Sequence, residues 1–122
     1  MINRNILKHV HAHNITEEEL YDAYKLFFGT LVSEPRLKIL NLLKNGKKNV
    51  TELINELKMD QTLVSHNLRR LKRCGFVSSK NKEKFRYYSI NNRTIKPLME
   101  TIDKHMSQYC IHILRTMKGG DE

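Results

Sequence analysis

The sequence predicts a mainly α-helical chain with one small β-hairpin late in its length. Two observations carry this expectation. Apolar residues recur at helical spacing in five stretches, most of them opened by a capping residue or a proline. Between residues 76 and 90 the pattern changes to short β-branched and aromatic runs around a polar turn.

The first helix follows Thr16. Thr16 and Glu19 have the spacing of a capping box, and Ile15 can staple onto Leu20. Leu20, Tyr24, Phe27, Phe28 and Leu31 then form its expected buried stripe. Gly29 within it costs about 1 kcal/mol relative to alanine and suggests close packing or fraying. The second helix opens at Ser33-Glu34-Pro35, with proline in the first turn, and its core residues are Leu37, Ile39, Leu40, Leu42 and Leu43. Asn45-Gly46 ends it.

Asn49 and Glu52 form a second capping box, before a short helix whose inner face is Leu53, Ile54 and Leu57. After a tight turn at Met59, Asp60 caps a fourth helix. Leu63 or Val64, then Leu68 and Leu71, point inward there, and Gly75 terminates it. Two short helices joined this way make a helix-turn-helix over residues 49–75. The outer flank of the second holds Gln61, Thr62, Ser65, His66, Arg69 and Arg70, with no acid among them. Such a flank suits a major groove about 12 Å wide.

Phe76–Lys80 and Phe85–Ile90 flank the turn Asn81-Lys82-Glu83-Lys84, which gives a hairpin with a basic tip. Helix-turn-helix plus hairpin is a winged helix, with the wing over residues 76–90. A last helix over 93–117, capped by Thr94 with Pro97 at its third position, carries a stripe of Ile95, Leu98, Met99, Ile102, Met106, Tyr109 or Cys110, Ile113 and Met117. That stripe is too long for so small a core. The same helix of a second subunit, together with the first helix, would cover it.

The composition agrees. A chain of 122 residues is one domain, residues 1–122, with no internal repeat and no linker. Residues 1–14 read as a flexible arm and the last four as a frayed tail. Apolar residues make up 39% and charged residues 29%, and no membrane span or secretory signal is expected. Cys74 and Cys110 read as reduced thiols of a cytoplasmic protein, and redox switching through them lacks support from spacing. The net charge is +9, of which +7 falls in residues 61–90, where eight basic residues meet the single acid Glu83. A focused basic segment is the footprint of a polyanion partner. No nucleophile–base pair or glycine-rich loop stands out, so catalysis is not expected.

Several motifs together resemble the ArsR/SmtB family of small dimeric winged-helix repressors: Ser33-Glu34-Pro35-Arg36-Leu37-Lys38-Ile39-Leu40, the run Asp60–Leu71, Cys74-Gly75-Phe76-Val77, and Tyr87-Tyr88. The resemblance covers residues 20–115. Glu83-Lys84 departs from the family's Gly-Arg wing tip, and Asn67 stands where histidine is common. The resemblance implies a homodimeric repressor that binds a palindromic operator in double-stranded DNA. Gln61, Thr62, Ser65 and His66 would read bases; Asn67, Arg69, Arg70, Lys72, Lys82, Lys84 and Arg86 complete the expected DNA-binding set. The dimer interface would use Leu20, Tyr24, Phe27, Leu98, Ile102, Met106, Tyr109 and Ile113. The alternative is a winged-helix module that binds RNA or another protein without operator specificity.

Relatives that sense metals suggest two places for a ligand set. The third helix has no thiol, which argues against the family's Cys-x-Cys site. Asp103 and His105 match half of the family's other site, but its second half is missing. A set of Asp103, His105, Cys110 and His112 across two subunits, with help from His9, His11 and His13, is conceivable for zinc or nickel as inducer. Asp and His on a helix flank are more commonly solvated surface.

Overall fold

A computed structural model of the chain describes Asn5, Ile6, Lys8 and residues 14–119. Most of the expected N-terminal arm, with His9, His11 and His13, lies outside the described residues, as does the end of the tail.

The helices are α1 (Glu17–Leu31), α2 (Glu34–Leu43), α3 (Val50–Leu57), α4 (Gln61–Arg73), α5 (Ile95–Gln108) and α6 (Cys110–Gly119). The strands are β1 (Lys48–Asn49), β2 (Val77–Lys82) and β3 (Phe85–Ile90). Local chemistry sets the starts. Thr16 Oγ1 accepts from the Glu19 amide at 3.1 Å while the Thr16 amide donates to Glu19 Oε1 at 3.0 Å. Asn49 and Glu52 repeat the exchange at 2.8 and 2.9 Å. Ser33 caps α2, with Pro35 in its first turn. Asp60 Oδ1 accepts from the Leu63 amide at 2.7 Å. At the far end of α4, Gly75 takes φ +79°, a conformation that favours a residue without Cβ.

The core lies where α2, α3, α4, the wing base and the first turns of α5 meet: Ile39, Leu40, Leu43, Leu53, Val64, Leu68, Leu71, Phe76, Ile95 and Met99. Of the two candidates at the start of α4, Val64 is buried and Leu63 is exposed.

Several features differ from expectation. The hairpin is part of a three-stranded antiparallel sheet in the order β1-β3-β2. The two residues of β1 pair with Tyr87 and Tyr88, a strand too short to leave a period in the sequence. The wing strands also run further, to the pair Lys82–Phe85. That leaves a two-residue turn, Glu83-Lys84, in which Glu83 adopts φ +59°. The buried stripe of α1 is shorter than its pattern. Leu31 is buried and Phe27 packs on Phe76, but Tyr24, which precedes the turns of α1 that reach the core, and Phe28, on the side of the last turn away from it, are exposed. Gly29 is not closely packed within the chain: a Cβ there would meet nothing within 4 Å.

The last helix is interrupted. α5 ends at Gln108, Tyr109 leaves helical geometry at φ −129°, ψ −68°, and α6 begins at Cys110. The break lies beyond the core. Met99 is the last buried residue and Ile102 the last to pack on the core; Met106, Ile113 and Met117 are exposed. Thr94 precedes the first turn without a side-chain cap, and Asn91 Oδ1 instead accepts from the amides of Arg93 and Thr94.

Candidate nucleic-acid interface

α3 and α4 are joined through residues 58–60 and form the helix-turn-helix. α3 ends with Lys58 in the left-handed conformation (φ +57°), which turns the chain sharply into the Asp60 cap. Burial of Val64, Leu68 and Leu71 fixes the rotation of α4 about its axis. The opposite flank is left free. Gln61, Thr62, Ser65, His66 and Arg69 line one shallow concavity of about 350 Å³ on it. Next to it His66, Arg69, Arg70 and Arg73 line a second with Arg36. Lys72 is exposed near the C-terminal end of α4. The basic last turn, Arg70, Lys72 and Arg73, also complements the negative end of the helix dipole. At the wing, Lys82, Lys84 and Arg86 are exposed, and Arg86 Nε donates to Asn81 Oδ1 across the hairpin at 3.2 Å.

Asn67 does not belong to this surface. It is 4% exposed, which corrects its place in the expected DNA-binding set. Its Nδ2 donates to the Leu63 carbonyl at 2.9 Å and its Oδ1 accepts from Arg36 Nη1 at 3.0 Å. Arg70 is only half free, because its Nε donates to Thr30 Oγ1 at 3.0 Å.

Arg36 was not singled out as a site residue by the sequence reading. Besides Asn67 it donates to the Thr30 carbonyl at 2.7 Å and the Gly29 carbonyl at 3.2 Å. It thereby supplies the cation that the last turn of α1 lacks. Burial and the neighbouring Arg70 guanidinium lower its pKa, with Cys74 acting in the opposite direction. The available signal was position: a cation in the first turn of α2 opposes that helix's own dipole, so something else must hold it.

The metal candidates do not assemble within one chain. Asp103 takes an ion pair from Lys44 at 2.8 Å. The His105 ring stacks on Tyr109 at 4.7 Å, and Cys110 and His112 follow the break as exposed residues of α6. Among the described residues no three His, Cys, Asp or Glu side chains come together as a metal site. Nor, among them, is any helix long and apolar enough to cross a membrane.

A helix-turn-helix with one uncovered polar flank, followed by a basic wing, defines a winged helix-turn-helix regulator. Residues 33–79 match the family model described as bacterial regulatory protein, arsR family. The uncharacterized HTH-type transcriptional regulator MJ1325 of Methanocaldococcus jannaschii is 32% identical over 87 residues, which cover 70% of this chain and 98% of that one. The transcriptional repressor PagR of Bacillus anthracis is 34% identical over 93 residues, covering 75% and 91%. The chain belongs to the arsR family of transcriptional regulators. Solved structures agree. That of Rv0081 from M. tuberculosis superposes with TM-score 0.73 at 27% identity, over 78% of this chain and 96% of that one. The Mycobacterium bovis domain Mb0332, described as a homodimeric winged helix-turn-helix DNA-binding domain and a possible ArsR-family regulator, superposes with TM-score 0.72 at 26% identity, over 79% and 89%.

Proposed function

We propose that this chain is a cytoplasmic, non-catalytic repressor that binds double-stranded DNA as a homodimer at a palindromic operator. The observation that carries the reading is the uncovered flank of α4: amide, hydroxyl, imidazole and guanidinium groups face outward together while Leu68 and Leu71 anchor the helix behind them. Gln61, Thr62, Ser65 and His66 read base edges from the N-terminal half of the helix. Arg69, Lys72, Lys82, Lys84 and Arg86 contact phosphates, and Arg70 does so with the part of its guanidinium that Thr30 leaves free. The names given to PagR, a repressor, and to Mb0332, a homodimer that binds DNA, support the same assignment. Two copies of α4, held by a dimer contact through α1 and α5, would enter successive major grooves on one side of the duplex.

The test is binding of the full chain to the promoter fragment upstream of its own gene and to random duplex, measured by fluorescence anisotropy. With ~6–10 phosphate contacts per dimer, affinity falls ~10³–10⁵-fold between 50 and 200 mM salt. A salt slope near zero would sink the assignment.

A further inference from the structure

The outer face of the wing carries a second concentration of positive charge, apart from the flank of α4. β3 is the central strand of the sheet. Side chains alternate along a strand, so the cross-strand pairs Ser78–Ser89, Lys80–Tyr87 and Lys82–Phe85 share one face. The other face holds Val77, Tyr88 and Ile90 against the core. Lys47, in the turn before β1, reaches over the outer face and places its Nζ 5.4 Å from the centre of the Tyr87 ring. Lys47, Lys80, Asn81, Lys82, Tyr87 and Ser89 together line a cleft of about 300 Å³.

The charge in this cleft is unmatched. Among the described residues, no carboxylate lies within ion-pair distance of Lys47, Lys80 or Lys82. The adjacent Lys48 shows the contrast, since its Nζ is 2.9 Å from Glu56 Oε2. Three lysines line this one cleft with no counter-charge among the described residues, and a bound anion would supply one. The cleft is small for a ligand pocket. One face of Tyr87 is covered by Lys47, so base stacking there is obstructed. What remains on offer is ammonium groups with the Tyr87 and Ser89 hydroxyls, a donor set for an oxyanion of high charge.

We propose that this cleft is a phosphate site, which takes a phosphomonoester or phosphodiester group on Lys47, Lys80 and Lys82 with the two hydroxyls. The phosphate has two available sources: the backbone of a duplex held by α4, or a free phosphorylated small molecule. The experiment uses the full-length Lys47→Gln/Lys80→Gln double variant, whose substitutions are on exposed side chains; a thermal melt matching the wild type verifies its fold. One arm titrates inorganic pyrophosphate into each protein without DNA, by calorimetry. The other measures the salt dependence of random-duplex binding. If the source is free, the variant binds pyrophosphate at least about tenfold more weakly while its salt slope stays at the wild-type value. If the source is DNA, the log–log salt slope falls by about two, at about 0.9 per lost phosphate contact. Unchanged salt slopes, together with either no pyrophosphate binding by the wild type or equal binding by both proteins, would overturn the site. Should the wild type bind no duplex at all, the repressor assignment fails by itself and the pyrophosphate arm still decides the cleft.

Discussion

Arg36 Nη1 stands 3.0 Å from Asn67 Oδ1 and ties the first turn of α2 to the middle of α4. With the bonds from Arg36 to the end of α1 and from Arg70 to Thr30, three helices share one polar joint directly behind the outward flank of α4. Removing the Asn67 side chain leaves a partly buried guanidinium short of an acceptor. Asn67→Ala should therefore destabilise the fold by about 1–3 kcal/mol in urea unfolding. Any loss of DNA affinity should follow from α4 shifting. A variant that unfolds like the wild type yet binds duplex poorly would return Asn67 to the contact surface.

The same residue marks where sequence reading reached its limit. Leu68 and Leu71 fixed which side of α4 faces the core, and Gln61, Thr62, Ser65, His66 and Arg69 do emerge together opposite them. Asn67 is polar, and a polar residue on a surface helix is assigned outward by default. Its burial depends on Arg36, thirty-one positions away. Pattern within one helix cannot reveal a hydrogen bond to another. The break at Tyr109 escaped because the apolar stripe continues through it and no glycine or proline marks it.

Gln61 opens the exposed flank of α4, one residue after its cap. If its amide reads a base edge, Gln61→Ala costs about 1–3 kcal/mol on the operator and little on random duplex. Anisotropy titrations on the two DNAs at one salt concentration measure the difference. Equal losses on both would reduce Gln61 to a positioning contact.

Lys58 holds φ +57° at the end of α3 without being glycine. The left-handed region costs a residue with a Cβ about 1–2 kcal/mol, partly offset in a glycine variant by the larger backbone entropy lost on folding. Lys58→Gly should raise stability by about 0.5–1 kcal/mol, read as a higher melting temperature. Because Lys58 lies before the Asp60 cap, a stabilised variant that binds duplex normally would show that this turn is not a DNA contact. A drop in stability would mean that the left-handed geometry is not kept in solution.

The proposed dimer contact uses surface that the single chain leaves uncovered. Tyr24 is 39% exposed and Met106 36%, while Leu98 and Ile102 on the same stripe are half-buried against the chain's own core. A stable dimer buries on the order of 1,200–2,000 Å² in total. A charge placed centrally on such a surface is desolvated in the dimer and free in the monomer. Met106→Glu and Tyr24→Glu should thus shift the chain toward monomer in sedimentation equilibrium without lowering the stability of the monomer itself. Phe85→Glu supplies the control for oligomeric state alone, since Phe85 is 50% exposed but lies on the wing. A monomer presents one copy of α4, so operator affinity should fall steeply in the first two variants, down to that of a single half-site. If instead both remain dimeric, the contact lies elsewhere, and the spacing of the two copies of α4 has to be rebuilt from that other surface.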